Sequence, residues 1–343
     1  MTEQQLSTAT DAGPSFSLVI ETENVAKGGL ERLSDCLRSL DRQTVSPRAA
    51  LDVIVPQSGD VPPSVLAELQ REHPWIQLLE VPADTNYYEA KMAGVRLARG
   101  EVVVFADSDV SYEPDWLERL REPFRDPDVQ AVAGRSSMKV DSVYTMAVSA
   151  VYFALPRVSL PPGATLRPGQ RYLAHNVAFR RELLLEHPIP DDPAGRDFLR
   201  AQCAIHAERL TAIGTVIWDE PRARCLHPPT PPERFLWRFL AAGEEDVRWL
   251  RRTRRGPRLL LGTIRRLTHR LAEAGWRLYS LVRDQPRHLL RLPLALPLVA
   301  VAWTSACLGA GAALVSPRWR PSRLLRRRAT VPSPQGGPAS AVH

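Results

Sequence analysis

Two carboxylates, Asp107 and Asp109, stand at the end of an apolar run with Ser108 between them. The run, residues 102 to 106, has the length and β-branched content of a strand buried on both faces. Open α/β sheets bind ligands at the carboxyl ends of such strands. Carboxylate oxygens suit Mg²⁺ or Mn²⁺, which takes further ligands from water and substrate phosphates. The spacing therefore predicts a metal-bound diphosphate, and an Asx turn that caps a following helix is the alternative.

The elements that must position this pair alternate between strands and helices. The pattern predicts strands at 16–20, 51–55, 76–81 and from 102 onward, with Pro56 breaking the second, and helices at 30–43, 64–72 and 85–99. Strands that alternate with helices indicate an α/β fold with a doubly wound, mostly parallel sheet.

Charge is distributed unevenly along the 343 residues, whose net charge is +7. Between residues 248 and 328 there are 19 arginines and two acids, so this part carries about +17 and the remainder about −10. An acidic body with a basic end differs from a uniformly basic nucleic-acid binder, and we expect no nucleic-acid partner. The four cysteines are scattered without a C-x-x-C pair, which argues against a zinc site or a disulfide framework.

The carboxyl-terminal part has the composition of a membrane-associated extension. Residues 251–290 combine Arg and Leu with Trp276 and Tyr279, which favours a helix on an anionic surface; a solvated helix packed on the body is the alternative. Residues 292–315 carry no charge and are long enough to span a bilayer, although prolines and glycines interrupt them. Arginines flank both ends of this segment, so their distribution does not give one orientation for a single span. Three interpretations therefore remain: a re-entrant hairpin, one crossing helix and a buried soluble helix pair.

These shifts in composition predict the domain organisation. We expect a disordered polar N-terminus without a secretory signal and a disordered basic tail. The predicted segments are 1–14 (N-terminus), 15–232 (catalytic domain), 233–290 (basic amphipathic helices), 291–316 (transmembrane or re-entrant segment) and 317–343 (tail).

The order of motifs over residues 15 to 245 resembles glycosyltransferase family 2 with the GT-A fold, in its membrane-associated bacterial form. The motifs that carry the resemblance are Gln43-Thr44, Ala90-Lys91, Ala98-Arg99-Gly100-Glu101, Asp107-Ser108-Asp109, the segment 175–182, Arg196-Asp197 and the segment 216–227. The sequence departs from the family after its first two strands, where it has Glu21-Thr22-Glu23-Asn24 and Pro56-Gln57-Ser58-Gly59. A base-recognising Asp is missing there, which leaves the donor nucleotide open.

The resemblance implies a role for each matching position. Asp109 would be the main ligand of Mg²⁺ or Mn²⁺, and Asp107 would hold the ribose or assist at the metal. Donor contacts would come from Glu21, Thr22, Glu23, Asn24, Ser58, Lys91 and Ser108. Asp197 would be the general base, although a helix N-cap is an equally ordinary role for it. His175 and His227 are either ligands or structural groups.

We therefore expect an inverting, metal-dependent glycosyltransferase at the cytoplasmic face of the cell membrane. It would move a sugar from a nucleotide donor to a glycan, lipid-linked or polyprenyl acceptor, for example in cell-envelope polysaccharide synthesis. A nucleotidyltransferase is the second hypothesis, since Ala26-Lys27-Gly28-Gly29 faintly resembles its phosphate loop. A catalytically silent membrane scaffold that keeps the fold is the third.

Overall fold

The computed structural model describes residues 13–22, 30–59, 61–152, 155–156, 163–189, 202–316 and 318. Contacts divide the chain into two compact units, the first made of residues 1–139 and 153–228 and the second of residues 140–152 and 229–343. The segment 140–152 thus groups with the carboxyl-terminal residues, which the boundary predicted at 232 does not anticipate. Glu23, Asn24 and Asp197 lie outside the described residues.

The first unit is built on one sheet. Its strands are β1 (Phe16–Glu21), β2 (Asp52–Gln57), β3 (Gln77–Glu80), β4 (Val102–Asp107), β5 (Ser111–Tyr112), β6 (Ala131–Met138), β7 (Leu155–Pro156), β8 (Arg167–Gly169), β9 (Val177–Arg180) and β10 (Ile217–Leu226). They run in the order β3-β2-β1-β4-β9-β6-β10-β5, with β7 beside β6 and β8 beside β10. The first four are parallel, whereas β9 is antiparallel to both β4 and β6. Five of the nine pairings between the described strands are parallel, so the sheet is mixed and the predicted α/β fold is confirmed.

Six helices accompany the described part of this sheet. They are α1 (Leu30–Asp41), α2 (Pro63–Glu72), α3 (Tyr87–Leu97), α4 (Trp116–Arg121), α6 (Arg181–Glu186) and α7 (Gln202–Ala212). Helix α5 (Val143–Val151) belongs to the second unit. Helix α3 begins at a capping box, in which the Asn86 side chain accepts from the N–H of Glu89 and the Glu89 carboxylate accepts from the N–H of Asn86. The predicted helices are confirmed to within two residues at each end.

Alternating side chains of the strands fill two cores, one on each face of the sheet. On the first face Leu18 and Val104 pack with α1, α2 and α4. On the second face Val103 and Phe105 pack with α3, α6 and α7. Strand β4 is buried along its whole length, as the apolar run predicts.

The predicted break at Pro56 is wrong, because β2 continues to Gln57. The ladder between β1 and β2 ends at Ile54, and beyond it β2 pairs only with β3. A proline, which has no N–H to donate, is tolerated where one neighbouring strand is absent. The carbonyl of Pro56 accepts a hydrogen bond from the Thr22 hydroxyl at 2.9 Å.

The second unit is helical. It contains α5, α8 (Phe235–Arg251), α9 (Gly256–Asp284) and α10 (Leu292–Val315). Helix α10 is continuous, although Pro297 lies inside it. Gly309 lies where α10 meets α8, since a Cβ there would stand 2.0 Å from the Leu240 carbonyl oxygen. This glycine therefore allows close packing and does not end the helix.

Polar and apolar side chains of the second unit are arranged unusually. Helix α8 buries the acidic run Glu244, Glu245 and Asp246, and Asp246 accepts hydrogen bonds from Arg266 and Arg270 of α9. Large apolar side chains are exposed instead on α9 and α10, among them Leu261, Ile264, Leu271, Trp276, Tyr279, Leu294 and Leu308. Pro286–Val315 contains an 18-residue window with a mean hydropathy of 1.9, and the segment is long and apolar enough to cross a membrane by length and composition alone.

Candidate active site

The Asp107 carboxylate is held at the carboxyl end of β4 by two side chains of α3. The Tyr87 hydroxyl lies 2.8 and 3.0 Å from its two oxygens, and the Lys91 ammonium lies 2.8 Å from Oδ1. Burial raises the pKa of Asp107, but the charge of Lys91 and the hydrogen bonds from Lys91 and Tyr87 outweigh it and leave the pKa below its usual value. Asp107 is therefore a fixed anion.

Lys91 is fully buried. Its ammonium donates to the Ala106 carbonyl at 2.7 Å and lies 4.9 and 5.1 Å from the ring centroids of Tyr87 and Phe105. The resemblance implied that the Lys91 side chain contacts the donor, and the alternative was that it is a solvent-exposed charge on a helix face. In the structure Lys91 pairs with Asp107 and fixes its position, because a buried carboxylate needs a partner. The solvated-face alternative is therefore wrong, and the donor contact stays a prediction.

The backbone around Asp107 is bonded as well. Its N–H donates to the Tyr112 hydroxyl at 2.8 Å, and that hydroxyl donates to the His175 carbonyl at 3.0 Å. The Cys36 thiol contacts the Asp107 carbonyl at 3.3 Å. Helix α1 and strand β5 thus fix the turn that follows β4.

Asp109 differs from Asp107. Its Oδ1 is buried without a hydrogen-bond partner in the part of the chain that the structure describes, and so is the Ser108 hydroxyl. Burial and the charge of Asp107 raise the pKa of Asp109, whereas His227 and Arg32 oppose the increase. The residues after Asp109 form β5 and not a helix, so the helix-capping alternative is wrong.

Two histidines lie beside this turn. The His175 ring is buried, its Nε2 lies 2.6 Å from the Ser136 hydroxyl, and burial and His227 lower its pKa to about 3. His175 is therefore neutral and structurally satisfied. The His227 ring lies 5.0 Å from that of His175, and its Nδ1 is 2.7 Å from the Pro228 carbonyl. A carbonyl accepts only from a protonated nitrogen, so the neutral His227 ring carries its lone pair on Nε2.

The remaining predicted donor residues fall at the same edge of the sheet. Glu21 is the cross-strand partner of Asp107, and its carbonyl accepts from the N–H of Ser108 at 3.1 Å. Glu21 and Thr22 are buried, while Ser58 is half-buried in the turn after β2. The structure therefore brings Glu21, Thr22, Asp107, Ser108 and Asp109 together. Within the described ranges, no three His, Cys, Asp or Glu side chains form a cluster that could hold a metal.

Sequence reasoning missed Tyr87 and Tyr112. The spacing of Tyr87 and Lys91, four residues apart on a predicted helix, places both on one face and was a usable signal. Tyr112 carried no such signal, because its contact with Asp107 depends on the turn that reverses the chain into β5.

The sheet, with its carboxylate pair at the carboxyl edge of β4, has the GT-A fold. The mannosyltransferase PcManGT from Pyrobaculum calidifontis, solved with GDP-Man and Mn²⁺, superimposes with a TM-score of 0.56 at 20% identity, over 90% of this chain and 89% of that one. At this identity the likeness concerns the fold alone.

Residues 17–186 match the family described as Glycosyl transferase family 2, and the chain therefore contains a glycosyltransferase domain of this family. The chain is 34% identical over 110 residues to the succinoglycan biosynthesis protein ExoM of Rhizobium meliloti (strain 1021), and this alignment covers 30% of this chain and 34% of that protein. Over 125 residues it is 29% identical to an N-acetylglucosaminyltransferase of Mesorhizobium japonicum, covering 36% and 28% of the two chains. The alignments thus span about a third of each relative's length. The family and the fold that the motifs predict are confirmed.

Proposed function

We propose that this protein transfers a sugar from a nucleotide-sugar donor to a glycan or lipid-linked acceptor, with inversion at the anomeric carbon. The observation that carries the proposal is the Oδ1 of Asp109, which is buried without a hydrogen-bond partner among the described residues and lies beside the fixed anion Asp107. An oxygen of this kind is costly to bury unless a ligand satisfies it. The mannosyltransferase of the same fold was solved with a nucleotide sugar and Mn²⁺, which supports this interpretation.

The donor set at the turn suits Mg²⁺ or Mn²⁺. Asp109 would hold the ion, and the neutral His227 ring, which carries its lone pair on Nε2, would assist it. When bound, such a cation neutralises the charge that develops on a leaving diphosphate. Asp107 would orient the donor, because Tyr87 and Lys91 already occupy its oxygens. Ser108, Glu21 and Thr22 would line the nucleoside side.

The acceptor hydroxyl must lose a proton as it attacks the anomeric carbon. A carboxylate within hydrogen-bond distance is the usual general base, and one base with direct displacement inverts that carbon. Asp197 stays our candidate for this role. It lies outside the described residues, so its assignment depends on the sequence resemblance.

Replacement of Asp109 tests the proposal. We expect Asp109→Asn to lower Mn²⁺-dependent turnover of the preferred nucleotide sugar by at least about 100-fold, because an amide is a poor ligand for a hard cation. The melting temperature should change little, since Asp109 Oδ1 has no described partner to lose. The matched control is Asp128→Asn, the same substitution at an exposed loop residue.

Three outcomes would contradict the proposal. Full turnover in Asp109→Asn would exclude the metal role. Binding of a nucleoside triphosphate in preference to every nucleotide sugar would favour the nucleotidyltransferase, and binding of neither would favour the silent scaffold.

We further propose that the second unit binds the cytoplasmic face of the cell membrane. The exposed apolar side chains of α9 recur at helical spacing, at Leu261, Ile264, Leu271 and Tyr279. Exposed arginines such as Arg258, Arg265 and Arg283 lie beside this stripe. An apolar stripe with flanking cations is typical of helices that lie in the headgroup region of anionic leaflets.

A further inference from the structure

Helices α9 and α10 lie side by side in the second unit and run in opposite directions. In the middle of α10, the indole N–H of Trp303 donates to the Leu267 carbonyl of α9 at 3.2 Å. On either side of this bond the two helices contribute to the same apolar cores: Leu259 with Ala310 and Ala313, and Ala274, Leu278 and Leu281 with Ala295 and Val299. Helix α9 therefore accompanies α10 along its length.

Helix α9 carries a row of polar side chains on its outer side. The polar row, defined as Arg265, His269 and Glu273, has one residue on each successive turn, and all three are exposed. The His269 and Glu273 side chains are 70% and 46% exposed. Because Arg265 and His269 flank Leu267 along the chain, the polar row begins beside the middle of α10.

The position of the polar row decides between a helix that crosses a membrane and one that lies on it. If α10 crossed a bilayer, its middle and the adjoining part of α9 would lie in the hydrocarbon core. Charged side chains inside a membrane are costly, and they face the protein interior or a water-filled cavity. Arg265 and Glu273 face outward instead. The length and composition of α10 permit a crossing, whereas the helix beside it opposes one.

The outer side of α10 is apolar. Leu294, Val301 and Leu308 recur every seven residues, close to two helical turns, and are 65%, 43% and 63% exposed. We define the apolar face as these three residues of α10 together with Leu261, Ile264, Leu271 and Tyr279 of α9, which are also exposed. The apolar face thus takes in both helices.

Both parts of the apolar face lie away from α8. Arg266 is bonded to α8, and Ile264 lies about 160° around α9 from Arg266. The Ala306 carbonyl lies against α8, and Val301 and Leu308 lie about 140° and 160° around α10 from Ala306. The two parts therefore form one surface on the side of the helix pair opposite α8.

Arginines surround the apolar face. Arg258, Arg265 and Arg283 are exposed on α9, and Arg287 and Arg318 are exposed beyond the two ends of α10. Anionic headgroups attract such cations. A second copy of the chain would instead bring like charges against each other, which is unfavourable. The charge pattern therefore favours a leaflet of anionic lipid over self-association as the partner of this face.

We propose that α9 and α10 lie together in the plane of one anionic leaflet, with the apolar face toward the acyl chains, and that α10 does not cross the bilayer. Both ends of α10 then lie at headgroup depth on the same side, and the polar row stays in water. This proposal rests on the membrane binding proposed above and specifies its form, a monotopic attachment.

The test compares two neighbouring positions of α9 that are similarly exposed without lipid, Leu271 at 45% and the Glu273 side chain at 46%. Each is replaced by cysteine in the full-length Cys307→Ala variant, whose other three cysteines are buried. On vesicles of phosphatidylethanolamine and phosphatidylglycerol, reaction of Leu271→Cys with a membrane-impermeant maleimide should slow at least about tenfold, because apolar surroundings disfavour the thiolate. Reaction of Glu273→Cys, the matched control, should stay within about twofold of its rate without lipid.

A second measurement locates the ends of α10 and does not depend on the Leu271 variant. Arg287→Cys and Arg318→Cys should react with the impermeant maleimide from the same side of sealed membrane vesicles, prepared from cells that produce the full-length protein. Reaction from opposite sides would overturn the proposal, as would equal slowing of Leu271→Cys and Glu273→Cys on lipid vesicles. Protection of Leu271→Cys that rises with protein concentration in the absence of lipid would indicate a second copy on the apolar face and would also overturn it.

Sedimentation and turnover separate this proposal from the previous ones. Wild-type protein that does not sediment with the lipid vesicles would overturn both the membrane binding and the monotopic attachment. Protein that sediments but has the ends of α10 on opposite sides would overturn the monotopic attachment alone. Absence of nucleotide-sugar turnover in a wild-type protein that sediments would overturn the proposed glycosyl transfer and leave the attachment standing.

Discussion

The two units of this protein bury opposite kinds of side chain. The sheet of the first unit buries valines, leucines and phenylalanines, and the polar residues Glu21, Asp107 and Ser108 are buried at one edge of it. The second unit buries Glu244, Glu245 and Asp246 and exposes leucines and aromatic side chains on α9 and α10. The buried charges Lys91, Asp107 and Asp109 of the first unit therefore lie together at one edge of the sheet, whereas Asp246 of the second unit joins two helices and large apolar side chains of that unit are exposed.

The largest expected effect concerns the buried pair of the first unit. Lys91→Met should lower the free energy of unfolding by about 3–5 kcal/mol, because it leaves the Asp107 carboxylate buried without its cation. The loss should shrink at acid pH, where Asp107 is protonated. Thermal unfolding across pH measures both effects.

The double variant Lys91→Met with Asp107→Asn is the control for this prediction. It should recover part of the stability, since neither charge remains buried alone. A double variant less stable than Lys91→Met would show that the pair is not the source of the loss.

In the second unit, Asp246→Asn should cost about 2 kcal/mol, less than the Lys91 variant, because Arg266 and Arg270 are about a third exposed and keep part of their hydration. The comparison is Asp35→Asn on α1, whose partner Arg38 and own carboxylate are both more than half exposed. That variant should lie within about 0.5 kcal/mol of the wild type. Equal effects of the two substitutions would mean that the buried acids of α8 are not structural.

The first unit also buries a histidine that should make it sensitive to acid. Burial lowers the pKa of His206 to about 4, whereas the pKa of histidine in the unfolded chain is about 6.5. The stability that depends on the neutral His206 ring is therefore fully present above pH 6.5 and is lost as the pH falls toward 4. Acidification from pH 8 to pH 5 should cost about 2 kcal/mol through this residue. His206→Gln should show a correspondingly shallower decline in melting temperature, and an unchanged decline would contradict the assignment.

The smallest effect concerns the exterior of the second unit. Trp276→Ser should weaken partition onto anionic phospholipid vesicles about tenfold, the loss expected for one partly inserted aromatic side chain. Leu51→Ser, which removes an apolar side chain exposed on the first unit, should leave partition unchanged. Vesicle sedimentation measures both, and equal losses would contradict a membrane face confined to the second unit.

The sequence predicted those parts of the molecule that depend on local pattern. The buried run before Asp107 indicated a central strand, and the Leu stripe after residue 30 indicated a helix, since periodicity reflects burial directly. The pairing of β9 between β4 and β6 depends on contacts far apart in the chain, so the antiparallel half of the sheet went unpredicted. The burial of Lys91 was not predicted either, because charge alone does not show whether a helix face meets water or a carboxylate.

The close approach of α8 and α10 constrains how the protein can be shortened. Gly309 and Gly243 bring the two backbones into contact, so a side chain at either position would collide with a carbonyl oxygen. Deleting the apolar helix to improve solubility would therefore uncover the small-residue face of α8 beside its buried acids. A shortened form suited to crystallisation should remove both helices together or neither.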